Sequence, residues 1–182
     1  PAPGGALTEG IIGAPKSINP ILAVTDTDIA LTKLVYAGLM KETADGEIIP
    51  ELAEGYTLSP DSRTYTFTLK ETQFHDGKKL TSQDVLFTVG KLQNSALNQN
   101  HTVYWSLVGV EAPDERTVVF TLPAPRTDFL ARLTIGILPE HVWAEISDEA
   151  FATAPENVQP IGAGAFELVR TAGDTSLAWG ER

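Results

Sequence analysis

An alternating stretch, Thr64-Tyr65-Thr66-Phe67-Thr68-Leu69, carries the strongest structural signal in the sequence. Its large apolar side chains stand at every second position, which is the period of a strand with one buried face. The segment before it alternates in the same way, and Ser59-Pro60-Asp61-Ser62 between them has the composition of a turn. The two segments therefore predict a β-hairpin.

A second hairpin is predicted further along the chain. Residues 107–112 and 118–122 both have strand character, and Pro113-Asp114-Glu115-Arg116 is a suitable turn between them. Matching periodicities place one set of side chains in a shared core, namely Tyr65, Phe67, Leu69, Val85, Val89, Phe120 and Leu122.

Apolar residues at helical spacing predict helices around these hairpins. One helix begins near Asp26 or Asp28, either of which is a suitable cap, and ends at or just after Gly38. Another follows Thr81, with Asp84 three residues later as in a capping box. The other expected elements are helices over residues 128–133 and 139–146 and strands over residues 7–12 and 166–169. Because these elements lack strict βαβ spacing, the predicted class is mixed α/β with antiparallel hairpins.

Composition limits the function classes. The 182 residues, 42% of them hydrophobic, are enough for a buried core. A net charge of -11 argues against nucleic acid as a partner. The absence of cysteine excludes disulfides and thiolate chemistry. No apolar stretch approaches the ~18 residues of a membrane span, and the linker-like start Pro1-Ala2-Pro3-Gly4-Gly5 predicts that an export signal has been removed.

The sequence contains no constellation typical of an enzyme. Its three histidines, His75, His101 and His141, stand in a turn, in a polar loop and at a helix start, so none is expected to form a catalytic dyad or to hold a metal. We therefore expect neither a catalytic site nor a cofactor. Two other features are ambiguous: Asp26 is either a helix-entry residue or a ligand contact, and Tyr104-Trp105 serve equally well as core anchors or as ligand contacts.

The order of short motifs along the chain resembles a known family, the family 5 extracellular solute-binding proteins, which is the oligopeptide-, dipeptide- and nickel-binding group. These motifs are Ser17-Ile18-Asn19-Pro20, Val35-Tyr36-Ala37-Gly38-Leu39, Pro50-Glu51-Leu52-Ala53-Glu54, Thr64 to Leu69, His75-Asp76-Gly77 with Leu80 to Val85, Ile137 to Trp143, and Pro160 to Phe166. None is specific alone, but seven in the right order span nearly the whole chain. One departure is Gly162-Ala163-Gly164-Ala165-Phe166, where the family usually has Gly-Thr-Gly-Pro-Tyr.

The resemblance implies the N-terminal part of a type II periplasmic-binding-protein-like fold in a longer, two-lobed protein. Residues 1–35 would form the first segment of the larger lobe, residues 36–160 an inserted small α/β domain, and residues 161–182 a strand returning to the larger lobe. The chain would then stop in the middle of a domain.

The same resemblance implies a function. The protein would be the substrate-binding component of an ABC importer, a monomer that captures a peptide or other small solute outside the cytoplasmic membrane, in the periplasm or on a lipid anchor, and delivers it to permease subunits. By position, its ligand contacts would be Val24, Asp26, Ile29, Tyr104 and Trp105. The alternatives are the non-catalytic N-terminal part of a secreted hydrolase and a cell-surface interaction module.

Overall fold

A computed structural model describes residues 15–97, 99–170 and 177–181, so the strand expected over residues 7–12 lies outside the described residues. The elements are, in order, α1 (Asp26–Val35), β1 (Met40–Glu42), β2 (Ile48–Pro50), β3 (Ala53–Leu58), β4 (Thr64–Leu69), α2 (Ser82–Gln93), α3 (Gln99–Trp105), β5 (Gly109–Asp114), β6 (Thr117–Thr121), α4 (Phe129–Arg132), α5 (Glu140–Trp143), α6 (Asp148–Phe151), a 3-10 helix (Pro155–Asn157), β7 (Phe166–Arg170) and β8 (Leu177–Glu181).

The two predicted hairpins are confirmed and join into one antiparallel sheet with the strand order β3-β4-β6-β5. In the central pair, Tyr65 lies opposite Phe120 and Phe67 lies opposite Val118. All seven residues that were expected to form the core are buried. Within this core the Phe67 and Phe120 rings meet edge to face, with their centroids 5.8 Å apart, which is a favourable geometry for an aromatic pair.

Helix α2 begins at the predicted capping box and packs near the sheet. The Thr81 backbone N–H donates to Asp84 Oδ2 over 2.8 Å, and the backbone N–H of Glu140 donates to Asp84 Oδ1 over 2.9 Å. Thr88 adds a second link, because its hydroxyl accepts from the Leu138 backbone N–H over 2.9 Å. The bonds from Leu138 and Glu140 attach the start of α5 and the residues just before it to α2.

The start of the described chain is also tied to its later part. Asn157 Oδ1 accepts hydrogen bonds from the Ser17 hydroxyl over 3.2 Å and from Asn19 Nδ2 over 3.0 Å. The end of α1 then lies against the segment before β7, where the Gly164 backbone N–H donates to the Val35 carbonyl oxygen over 2.7 Å. The chain just before residue 36 is therefore in direct backbone contact with the chain just after residue 160.

Several elements differ from the sequence-based expectations. Helix α1 ends at Val35 instead of near Gly38, because the backbone of Tyr36 is already extended. Gly38 lies in the segment after the helix, where an added Cβ would be 2.6 Å from the Leu133 carbonyl oxygen. The polar loop expected around His101 is helix α3, and the short hairpin of β1 and β2 was not predicted. No helix within the described ranges has both the length and the apolar character of a membrane span.

Candidate functional site

An open cavity of about 260 Å³ lies beside α1 and is lined by three parts of the chain. The first part is α1 with the residues next to it, helix α3 contributes His101 and Trp105, and the third part is the segment 131–136. The first part contributes Pro20, Ala23, Ile29, Thr32, Lys33 and Tyr36. The cavity therefore exists only because the fold brings these distant segments together.

Gly136 lets the chain close one side of the cavity. A Cβ on Gly136 would lie 2.4 Å from the Cβ of Tyr36 and 3.5 Å from the Cβ of Pro20, and the first of these distances is too short for real Cβ atoms. Tyr36 is itself buried, and burial raises the pKa of its hydroxyl, which is therefore uncharged at neutral pH.

Trp105 both anchors α3 and lines the cavity. The residue is only 2% exposed, and its ring centroid lies 6.5 Å from that of Phe120 and 6.3 Å from that of Phe129. Of the two interpretations of this residue, core anchoring is observed. Its contact with a ligand stays a prediction, although its place in the cavity lining is compatible with one.

Of the other four predicted site residues, Ile29 lines the cavity and the remaining three do not. Val24 and Asp26 are exposed near the start of α1. Tyr104 does not line the cavity, but two guanidinium groups contact its ring: the Arg126 Cζ is 4.2 Å from the ring centroid and the Arg132 Cζ is 4.8 Å from it. The fold thus brings Ile29 and Trp105 to one cavity.

Sequence reasoning did not single out the charged residues of this cavity. Lys33 and Arg132 both line it, and each stands in the last turn of a helix, where a basic residue is expected for reasons of helix electrostatics alone. His101 also lines it, although the sequence placed it in a polar loop and predicted no catalytic or metal-binding role for it. The pattern of the sequence carries no signal that separates these residues from ordinary helix ends.

Asp128 organises the two arginines next to Tyr104. Its Oδ1 lies 3.2 Å from Arg126 Nε, and its Oδ2 lies 3.5 Å from Arg132 Nε. Burial alone would raise the pKa of Asp128, but the hydrogen bond from Arg126 and the charges of both arginines outweigh it and lower the pKa. The carboxylate is therefore ionised and holds the arginines.

His101 is in a different electrostatic situation. Burial, and secondarily the positive charge of Arg132, lower the pKa of its imidazole. At neutral pH the ring is therefore mainly uncharged, and it contributes hydrogen-bonding atoms to the cavity instead of a full charge.

The remaining two histidines lie away from this cavity. His141 Nε2 is 2.7 Å from Asp76 Oδ2. His75 Nε2 is 3.0 Å from the Gly164 carbonyl oxygen, and His75 Nδ1 accepts from the Gly162 backbone N–H over 3.3 Å. Within residues 15–97, 99–170 and 177–181, no three histidine, aspartate or glutamate side chains are grouped as a metal site would require.

Comparison with known proteins identifies the class. A solved structure with the same fold is the ABC transporter substrate-binding protein CtaP of Listeria monocytogenes, with a TM-score of 0.80 and 32% identity over 94% of this chain and 36% of that one. The chain belongs to the bacterial extracellular solute-binding proteins, family 5, whose middle region matches residues 47–179. The family resemblance and the fold class predicted from the sequence are both confirmed.

Two curated relatives agree with this assignment. A Brucella ovis protein that carries a provisional name as an ABC transporter peptide-binding protein is 38% identical over 70% of this chain and 25% of its own length. The dipeptide-binding protein of Escherichia coli K12 is 30% identical over 92% of this chain and 36% of its own length. The chain therefore spans about a quarter to a third of the length of these relatives.

Proposed function

We propose that this chain belongs to the substrate-binding component of an ABC importer, which captures a peptide or peptide-like solute outside the cytoplasmic membrane and delivers it to the permease. The observation that carries the proposal is the open cavity of about 260 Å³ in a chain that belongs to family 5. Pockets that enclose a whole small ligand have volumes of about 300–1,000 Å³. The cavity is thus suited to hold one part of a solute.

The lining of the cavity supports the binding of a solute. It combines apolar surface from Ile29 and Trp105 with polar and basic side chains, which are those of Thr32, Lys33, His101, Arg132 and Thr134. Apolar walls with a few polar groups are the usual composition of small-molecule sites. Val24, which is 69% exposed, and Asp26 stand at the adjacent start of α1, where a ligand or a second lobe would cover them. A peptide would be held here largely through its main chain, with water around its variable side chains.

The three-part organisation is part of the same proposal. Residues 1–35 and 161–182 belong to the larger lobe, and residues 36–160 form the inserted small domain. The adjacency of Val35 and Gly164 supports this division, because a chain that leaves one lobe and returns to it needs its two crossings side by side. A closed clamp would require further chain beyond these residues.

The partners and location follow from the function. We expect a monomer that works with ABC permease subunits and does not bind nucleic acid, in agreement with its net charge of -11. The family is extracellular by its description. Whether the protein is free in the periplasm or attached by a lipid is tested by labelling with a radioactive fatty acid. The two alternatives, part of a secreted hydrolase and a cell-surface interaction module, have less support than solute binding, because the named relatives are peptide-binding and dipeptide-binding proteins.

The test is solute capture by the full-length gene product. After purification without added ligand, bound solutes are released by denaturation and identified by mass spectrometry, and their dissociation constants are measured by calorimetry. Ile29→Ser should weaken binding about tenfold, since it removes an apolar contact of roughly 1–2 kcal/mol. Val103→Ser is the matched control, because Val103 is apolar and 84% exposed but does not line the cavity. A protein that retains no solute and binds no peptide would refute the proposal.

A further inference from the structure

The cavity beside α1 is basic in a chain that is otherwise strongly acidic. Its lining includes Lys33 and Arg132 but no aspartate or glutamate, whereas the whole chain has 13 basic and 24 acidic residues. The carboxylate of Asp128 pairs with Arg132 at the edge of the cavity and offsets one of the positive charges. With Arg126 included, the cluster keeps an excess of positive charge, which attracts anions locally.

Arg132 is held in place for this role. Its guanidinium rests on the Tyr104 ring, with Cζ 4.8 Å from the centroid, and its Nε lies 3.5 Å from Asp128 Oδ2. Across the described part of the chain, no hydrogen bond joins the Nη atoms of Arg132 to a protein acceptor. A guanidinium fixed on one edge and open on the other is suited to bind a carboxylate through two parallel hydrogen bonds.

Lys33 provides the second positive charge of the cavity lining. It belongs to α1, whereas Arg132 ends α4, and both line the same cavity. In the ranges described above, Lys33 forms no ion pair with an aspartate or glutamate. Two cations from different elements, with apolar surface from Ile29, Trp105 and Ile135 around them, define a site for a negatively charged group at the end of a partly apolar molecule.

We propose that this cavity binds a carboxylate group of the transported solute, with Arg132 and Lys33 as its cationic partners. The inference rests on the proposed function, since it assumes that a solute occupies the cavity. In a peptide, the carboxylate is either the C-terminus or the side chain of an acidic residue. The chemistry is the same in both cases, and the two sources are separated by the choice of probe.

The experiment uses the full-length gene product and four synthetic peptides. Trialanine and trialanine amide differ only in the C-terminal charge, whereas Ala-Glu-Ala amide and Ala-Gln-Ala amide differ only in the side-chain charge. Calorimetry measures each dissociation constant for the wild type, Arg132→Gln and Lys33→Gln. Arg63→Gln is the matched control, because Arg63 is about as exposed as Arg132 but lies in the β3–β4 turn.

The wild type should bind one acidic peptide at least about tenfold more tightly than its neutral partner, which is the range of a hydrogen bond to a charged group. Arg132→Gln and Lys33→Gln should each reduce this preference, and Arg63→Gln should leave it unchanged. The peptide pair that shows the preference identifies the source of the carboxylate. If Arg132→Gln does not fold, as judged by its circular dichroism, Lys33→Gln decides the result.

Two outcomes would overturn the inference, and they are distinguishable. Peptide binding without a preference for either acidic form, or with a preference that neither cavity variant reduces, would refute the carboxylate site while leaving the proposed function intact. If the wild type binds none of the four peptides and retains no solute on purification, the proposed function fails, and the inference fails with it.

Discussion

The backbone N–H of Gly164 donates a hydrogen bond to the carbonyl oxygen of Val35 over 2.7 Å, so the end of α1 and the segment before β7 are in direct backbone contact. This approach depends on the absence of side chains. A Cβ on Gly162 would lie 2.1 Å from the Val35 carbonyl oxygen, and a Cβ on Gly164 would lie 2.5 Å from that of Leu34. His75 reinforces the contact, since its ring bonds to both glycines.

Gly162→Ala should therefore destabilise the protein by roughly 1–3 kcal/mol, the usual cost of forcing extra volume into a packed site. The matched control is Gly90→Ala, in α2, where an added Cβ would meet nothing within 4 Å. That change should stabilise the protein by about 0.5–1 kcal/mol, because alanine is a better helix former than glycine. Urea unfolding followed by circular dichroism measures both values. Equal effects of the two variants would contradict the close packing at Gly162.

Phe67→Ala should cost about 3–5 kcal/mol of unfolding free energy, because the side chain is fully buried at the centre of the sheet and leaves a cavity when removed. Tyr56→Ala is the control: its ring lies 5.3 Å from that of Phe67 but the residue is 40% exposed. Its loss should be clearly smaller. Thermal and urea unfolding of both variants tests the order, and a larger cost for Tyr56→Ala would refute the assigned face of β4.

The parts of the fold that the sequence predicted share one property, which is a regular pattern several residues long. Strand β4 alternates over six residues, and α2 combines an apolar stripe with a capping box. In contrast, β1 and β2 contain three residues each, too few for a period to appear. Helix α3 is polar at its start and is anchored by tertiary contacts, chiefly the burial of Trp105 at its end.

The candidate site was predicted less completely than the fold, for a related reason. Ile29 and Trp105 were selected by position within a resembling family, and both line the cavity. Lys33 and Arg132 were not selected, because each has a sufficient local explanation at a helix end. Only the packing of α1 against distant segments gives these two residues a common surface, and sequence periodicity contains no information about that packing.

Asp28 should make stability depend on pH. It is 1% exposed, and its Oδ1 accepts from the backbone N–H groups of Lys16 over 2.8 Å and Ser17 over 3.3 Å. Burial alone would raise the pKa of Asp28, but its hydrogen bonds with the Thr25 side chain and these backbone groups outweigh it, so the pKa is lowered. A carboxyl with a lowered folded-state pKa stabilises the protein above its unfolded pKa of about 3.9, and this contribution is lost as the pH falls toward the folded value.

Asp28→Asn should therefore cost about 1–3 kcal/mol at pH 7, the range for hydrogen bonds to a charged group. The difference from the wild type should shrink as the pH falls below about 4, because the carboxyl of the unfolded chain is protonated there before that of the folded protein, whose pKa is lowered. Asp26→Asn, in the same helical turn but exposed, is the control for helix-end electrostatics and should cost less than about 1 kcal/mol. Urea unfolding at pH 7 and pH 3 gives the four differences. A gap that stays constant between these pH values would rule out this role for Asp28.

The last prediction concerns affinity. On the proposed function, this chain alone should bind a solute at least about 100-fold more weakly than the full-length protein, because ligand clefts usually bury 70–90% of the ligand surface and clamp proteins reach this only by closing a second lobe. The cavity of about 260 Å³ is open, so hydrogen bonds made on its wall compete with water and each contributes little net free energy. Calorimetry with the same co-purified solute on both proteins measures the ratio. Matching dissociation constants would place the whole binding cleft within these 182 residues and would contradict the two-lobed arrangement.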